Sequence, residues 1–360
     1  MSLPIRDELK NVSPYGAPQI DVPVKLNTNE NPYSPPKALV DAIAQNVAAI
    51  GANLNRYPDR DAVELREGLA KYILQDTGVQ VAREQVWAAN GSNEIMLQIL
   101  QAFGGPGRKA LTFSPTYSMY AEYARDTNTE FVAVARREDF SLDAELILSA
   151  LSIHRPQVVF LTSPNNPTGT ALNLEVLDAV LKSVPNTIIV VDEAYAEFRR
   201  DGVDSAVTRV ARHENLVVTR TMSKAFALAG VRLGYLVSSA EMVDALQLVR
   251  LPYHLSTVTQ VVANTALGFA SELQKDLDLI RASRDEFIIW AAKNGFETAQ
   301  SDANFVLLGQ FPDRSATWQA LVDRGVLVRE VGPEHWLRIT IGTESEMEVL
   351  KKALLEVKGL

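Results

Sequence analysis

The chain has 360 residues, and at about 150 residues per domain that length sets a prior of roughly two domains. Hydrophobic residues make up 47% and charged residues 22%, which excludes disorder as a global description. A net charge of −9 argues against a general nucleic-acid-binding face, and the absence of cysteine excludes disulfides, a thiolate nucleophile and zinc–cysteine sites.

Residues 1–36 are rich in Pro and Asn and carry little periodicity, so they read as an extended arm lying on another part of the molecule. Helices are expected over 37–50 and 61–75, a short strand over 86–89, a helix over 93–103 and a further strand over 110–113. Three later runs, VVFLT at 158–162, TIIVV at 187–191 and LVVT at 216–219, are short, apolar and β-branched, with helix-like stretches between them. Fully buried parallel strands with crossover helices have this signature, so the middle of the chain is read as an α/β sandwich on a mostly parallel sheet. A long helical stretch follows over about 256–294. Short strands come next near 305–308, 326–328 and 337–340, and a last helix starts at 344. No run approaches the roughly 18 apolar residues of a membrane span, and MSLPIRDELK has no signal-peptide core, so a cytoplasmic protein is expected.

Ligands of open α/β sheets bind outside the carboxyl ends of the strands. Each of the three apolar runs is followed at once by an unusual polar group. These are Ser163-Pro164-Asn165-Asn166-Pro167-Thr168-Gly169, then Asp192-Glu193-Ala194-Tyr195, then Thr221-Met222-Ser223-Lys224. Asn166, Asp192, Tyr195 and Lys224 are therefore predicted to converge on one crevice. An Asp–Lys pair is compatible with a structural ion pair. It is equally compatible with Schiff-base chemistry, in which a desolvated lysine is the nucleophile and an acid keeps a pyridinium nitrogen protonated. Gly91-Ser92-Asn93, just ahead of the helix, fits either an ordinary N-cap or a phosphate site at a helix N-terminus. Thr221 and Ser223 add hydroxyls beside Lys224, and Arg232 follows the small pair Ala229-Gly230 as a possible charge-assisted donor to the same phosphate.

SPNNPTG, DEAY and TMSKAFALAGVRLGY, in this order and spacing, resemble the aspartate-aminotransferase-like superfamily of pyridoxal phosphate enzymes of fold type I. LNTNENPYSP at 26–35, NRYPD at 55–59, GSNEIM at 91–96 and PTYSMY at 115–120 narrow the resemblance to the histidinol-phosphate aminotransferase family, and the match runs on to LRITIG at 337–342. The resemblance implies an arm over 1–36 that packs with the small domain, a large cofactor-binding α/β domain over 37–252, and a small α+β domain over 253–360. It implies that Lys224 carries pyridoxal 5'-phosphate as an imine and moves the substrate proton. Asp192 would pair with the pyridinium nitrogen, Asn166 and Tyr195 would hold the ring oxygen, and Tyr117 would stack on the ring. Ser92, Asn93, Thr221, Ser223 and Arg232 would bind the cofactor phosphate. Tyr57 would reach the phosphate of the other subunit of a homodimer with shared sites. Tyr15 and Asn31 would line the substrate pocket, and Arg329 and Arg338 would bind the anionic end of the substrate.

That last pair has a physical logic, because one site must accept the carboxylate of glutamate and the phosphate of histidinol phosphate, and a guanidinium can clamp either. The implied reaction exchanges the amino group between L-histidinol phosphate with 2-oxoglutarate and imidazole acetol phosphate with L-glutamate. Aromatic-amino-acid transamination, and decarboxylation of threonine phosphate, belong to similar families and are the alternatives. A fused sensor of this fold would need a DNA-binding module, and no basic helix of that kind is present. His154, His213, His254 and His335 are scattered without ligand spacing, so no metal is expected, and Gly104-Gly105-Pro106-Gly107-Arg108-Lys109 lacks the Lys-Ser/Thr ending of a phosphate loop.

Overall fold

The computed structural model describes residues 3–10 and 12–358. Among the described residues, twelve strands form three sheets. Strands β1 (Val24–Leu26), β2 (Val86–Ala89), β3 (Lys109–Ser114) and β4 (Glu130–Ala135) come first. Strands β5 (Val158–Thr162), β6 (Ile188–Asp192), β7 (Leu216–Thr221) and β8 (Gly234–Val237) complete the main sheet. Strands β9 (Glu297–Thr298), β10 (Phe305–Gly309), β11 (Val326–Val328) and β12 (Leu337–Thr340) close the chain.

The seven-stranded sheet has the order β2-β8-β7-β6-β5-β3-β4. Strands β4, β3, β5, β6 and β7 run parallel, and β8 and β2 join antiparallel at one end. Strands β5 and β7 are buried throughout, and β6 is buried at every residue after Ile188. Val159 and Leu161 of β5 pack into one apolar cluster, and Val158 and Phe160 into another on the opposite face. This alternation explains the unbroken apolar runs: helices cover both faces, so no position needs to be polar. The carboxyl ends stay in step, with Thr162 opposite Asp192 and Asp192 opposite Thr219. Three hydroxyl and carboxylate side chains thereby meet at one edge of the sheet.

The C-terminal part carries the antiparallel sheet β12-β10-β9 and the parallel pair β1-β11. The arm is thus not wholly irregular, because Val24, Lys25 and Leu26 add a strand to Val326, Leu327 and Val328. The expected long helix is two helices, Thr257–Leu267 and Ala270–Lys293, separated at Gly268-Phe269. Among the described residues no helix is long and apolar enough to cross a membrane.

Candidate active site

A cavity of about 370 Å³ opens at the carboxyl ends of β5, β6 and β7. Thirteen of the fifteen residues singled out from the sequence line it: Tyr15, Ser92, Asn93, Tyr117, Asn166, Asp192, Tyr195, Thr221, Ser223, Lys224, Arg232, Arg329 and Arg338. Asn31 and Tyr57 do not. The Asn31 amide is engaged elsewhere, donating to Ala225 O, beside Lys224, at 3.4 Å and accepting from Tyr33 N of its own turn at 3.0 Å. Tyr57 stands on the surface, 79% exposed, stacked on Tyr253 with ring centroids 4.5 Å apart.

Asp192 ends β6 and is buried. Its partners are neutral: Tyr120 Oη donates to Oδ2 at 2.8 Å, and Thr219 Oγ1 donates to Oδ1 at 3.3 Å. Burial pushes its carboxyl up to about 6, and the two hydroxyls and the Ala194 amide pull the other way. A buried carboxylate without a cationic partner of its own, facing a cavity, suits a cationic ring nitrogen. The neighbouring Glu193 points the other way, where Arg220 Nε donates to it at 3.0 Å and Ser205 Oγ at 2.7 Å.

Lys224 follows β7, and its Nζ donates to Thr28 O of the arm at 2.9 Å. Burial, aided by the charges of Arg338 and Arg232 and opposed by Glu30, pushes its ammonium down to about 8. A lysine so tuned holds about a tenth of its population as free amine at pH 7, far more than an ordinary lysine, and the amine is the form that attacks a carbonyl.

At one end of the cavity the helix Ser92–Phe103 begins after Gly91, whose side gives no capping bond, so the first-turn N–H groups face outward with the positive end of the helix dipole. Gly91 has φ +82°, and a Cβ there would lie 2.6 Å from Arg232 Nη2. A Cβ on Gly234 would lie 2.1 Å from Ser92 N. Both glycines thus permit a close approach of β8, Arg232 and the helix start. Arg232 Nη1 lies 3.3 Å from Ser223 Oγ, and Ser223 N donates to Thr221 Oγ1 at 3.1 Å. Backbone amides, two hydroxyls and a guanidinium form an anion cradle of the phosphate-binding kind.

Tyr117 walls the cavity between these groups; its Oη donates to Asn93 Oδ1 at 3.4 Å, and its ring meets Tyr120 edge-on at 5.6 Å. Tyr195 Oη accepts from Asn29 Nδ2 at 3.0 Å. Arg338 of β12 is buried, donating from Nη1 to Asn166 Oδ1 at 2.6 Å and from Nη2 to Asn27 O at 2.7 Å. Neither partner is a carboxylate, its Nε has no partner among the described residues, and burial pushes it down to about 10. Arg329 pairs with Arg338 through two backbone bonds of 3.0 Å, and its Nη2 donates to Gly16 O at 3.2 Å. Two guanidiniums side by side at one wall favour an anionic ligand.

The parts fit the pyridoxal phosphate expected from the sequence: an anion cradle, an aromatic wall, a buried acid without a cation, and an amine of lowered basicity. The reading of the residues missed Asn27, Thr28, Asn29 and Tyr120. The first three lie in LNTNENPYSP, whose unbroken polar run at 27–31 is the signal that marks them. Tyr120 closes PTYSMY three residues after Tyr117, and a turn in which Tyr120 N donates to Tyr117 O at 3.3 Å brings the two together.

The family model for aminotransferases of class I and II matches residues 21–354. The histidinol-phosphate aminotransferase of Thermobifida fusca (strain YX) is 58% identical over 99% of this chain and 96% of its own length. Histidinol-phosphate aminotransferase 3 of Burkholderia lata is 54% identical over 99% of this chain and 96% of its own. The crystal structure of histidinol-phosphate aminotransferase from Sinorhizobium meliloti, in complex with pyridoxal-5'-phosphate, superposes with a TM-score of 0.87 at 24% identity, covering 99% and 98% of the two chains. The chain belongs to the class I and II aminotransferases.

Proposed function

We propose that the cavity binds pyridoxal 5'-phosphate at Lys224 and transfers an amino group between L-histidinol phosphate and 2-oxoglutarate, giving imidazole acetol phosphate and L-glutamate. The observation that carries the substrate class is the buried Arg338 guanidinium, whose recorded partners include no carboxylate, lying with Arg329 in the cavity of Lys224 and Asp192. An anionic substrate completes that arginine. The relatives of more than half identity, named histidinol-phosphate aminotransferases, support the same choice of substrate.

The bound cofactor supplies an electron sink for the electrons left on the substrate α-carbon. The protein does the rest. Asp192 holds a proton on the ring nitrogen. Tyr117 covers the ring and keeps water away. Asn166 and Tyr195 would hold the ring oxygen, and Asn166 has its Nδ2 to offer because Oδ1 accepts from Arg338. The helix start at Ser92-Asn93, with Thr221, Ser223 and Arg232, anchors the phosphate. Lys224 Nζ, which lines the cavity, would be the base that takes the proton from the substrate α-carbon and later returns it. Arg338 and Arg329 orient the anionic end so that the α-hydrogen faces that nitrogen. The division proposed is an arm over 1–36, a cofactor unit over 37–252 and a smaller unit over 253–360.

A cytoplasmic homodimer belongs to the same reading. Tyr57, Tyr253, Leu248 and Leu251 are exposed near one another in sequence or by ring stacking, which supports a covered face. The test is a comparison of specificity constants for histidinol phosphate, phenylalanine and threonine phosphate with one preparation. The proposal expects histidinol phosphate to exceed phenylalanine by at least tenfold. A preference for phenylalanine would make the protein an aromatic aminotransferase, and release of carbon dioxide from threonine phosphate without a keto acid would make it a decarboxylase.

A further inference from the structure

Tyr120 is fully buried and belongs to none of the roles above. Its ring stacks flat on Phe160 of β5, centroids 4.6 Å apart and planes 4° apart, and meets Tyr117 edge-on. The phenol is therefore fixed in place by the sheet. Its oxygen lies 2.8 Å from Asp192 Oδ2 and 2.8 Å from Thr162 Oγ1. Hydrogen-bond chemistry sets the direction. An ionised carboxylate only accepts, so the Tyr120 O–H points at Asp192 and the Thr162 O–H must point at Tyr120. Thr116 Oγ1 can then give its own proton to Asn165 Oδ1 at 3.0 Å. On the other carboxylate oxygen Thr219 donates at 3.3 Å.

The donors thus form an ordered chain from Thr162 through Tyr120 to Asp192. Such chains polarise one another, and each bond in a dry site favours the charged form of the group it ends on. Burial and the charge of Asp192 hold the phenol far above its usual range, so Tyr120 stays a donor at every working pH. The titratable groups near Asp192 are Tyr117, Tyr123, Tyr195 and Glu193, and Glu193 is neutralised on its far side by Arg220.

We propose that Tyr120 is a positioning residue that keeps the proton shared between Asp192 and the cofactor's ring nitrogen on the nitrogen. The proton has two places along that contact, carboxyl with neutral nitrogen or carboxylate with cationic nitrogen. A donor at Oδ2 stabilises the second more than the first, because a bond to a carboxylate is stronger than one to a neutral carboxyl. Tyr120 touches neither substrate nor cofactor phosphate, and it acts through Asp192. The proposal rests on the cofactor assignment of the preceding section.

The test uses the reconstituted holoenzyme and Tyr120→Phe, which keeps the ring and its stacking. Pyridoxal phosphate labelled with ¹⁵N in the ring reports protonation directly, without turnover. The wild-type resonance is expected at the protonated-pyridine position, and the variant resonance shifts toward the unprotonated one. Thr162→Val, which removes the outer donor, shifts it less in the same direction. Affinity gives a second readout: Tyr120→Phe should lose about tenfold or more for pyridoxal phosphate, as for loss of a hydrogen bond to a charged group, and less than about twofold for the 1-deaza analogue, which lacks the nitrogen. An unmoved ¹⁵N resonance overturns the proposal. Equal losses for both ligands also overturn it, because a packing defect alone treats them alike. A wild-type protein that binds the 1-deaza analogue and pyridoxal phosphate equally removes the Asp192 assignment and this proposal with it.

Discussion

Gly234→Ala tests the phosphate cradle by sterics alone. The residue opens β8 against the helix start, and its backbone is in an ordinary region, so no penalty comes from φ. The added Cβ would stand 2.1 Å from Ser92 N and 2.4 Å from Gly91 C. Both neighbours are backbone, and an ordinary contact needs about 3.4 Å, so the helix start must retreat by about 1 Å. Overpacking of this kind costs about 1–3 kcal/mol of stability. The retreat also withdraws the amides of Ser92 and Asn93 from the phosphate, and a charge-assisted bond is worth about 1.5–3 kcal/mol. Affinity for pyridoxal phosphate should therefore fall by roughly ten- to a hundredfold. The assay is equilibrium binding to the apoprotein, run in parallel with pyridoxal, which lacks the phosphate. Gly230→Ala, where nothing lies within 4 Å of the new Cβ, is the control and should bind as wild type. Wild-type affinity in Gly234→Ala, or the same loss for pyridoxal as for its phosphate, would refute the cradle.

Arg338→Lys keeps the charge but loses the fork that reaches both Asn166 and a ligand. The kcat/KM for glutamate and for histidinol phosphate should fall by about ten- to a hundredfold with cofactor affinity unchanged, and steady-state kinetics beside cofactor binding reads both. The amine of Lys224 has its midpoint at about 8 and not in the usual range near 10.4, and only the unprotonated form attacks an aldehyde. Uptake of pyridoxal phosphate by the apoprotein should therefore quicken with rising pH through about 8 and level off above it, as stopped-flow absorbance would show. A rate still climbing at pH 10 would mean the lysine is not desolvated.

The fold was legible where burial is complete on both sides of an element. The strands 86–89, 158–162, 326–328 and 337–340 are legible to the residue, because each is buried at every position, although Arg338 and Thr340 interrupt the apolar pattern of the last. Strand β4 was missed because it is the outer strand, with an exposed or half-buried position at every step and no clean alternation. The break at Gly268-Phe269 was missed because Gly within a helical pattern does not by itself stop a helix, and here neighbouring packing decides. In the site, Asp192 and Lys224 announced themselves as polar residues directly after buried strands. Asn29 and Tyr120 did not, since their partners Tyr195 and Asp192 lie 166 and 72 positions away. Only the fold brings those pairs together, with Asn29 tied to Thr340 of β12 and Tyr120 carried by the helix Met119–Asp126.

The central claim is a lysine-held cofactor that exchanges an amino group with histidinol phosphate. Its most direct test is the visible absorption spectrum of the reconstituted protein during titration, first with histidinol phosphate and then with 2-oxoglutarate. The account predicts a visible band of the lysine-bound cofactor that is absent from Lys224→Ala. Histidinol phosphate should replace it with the near-ultraviolet band of the aminated cofactor, and 2-oxoglutarate should restore it. A band that persists unchanged in Lys224→Ala, or one that histidinol phosphate leaves untouched while phenylalanine discharges it, would contradict the account.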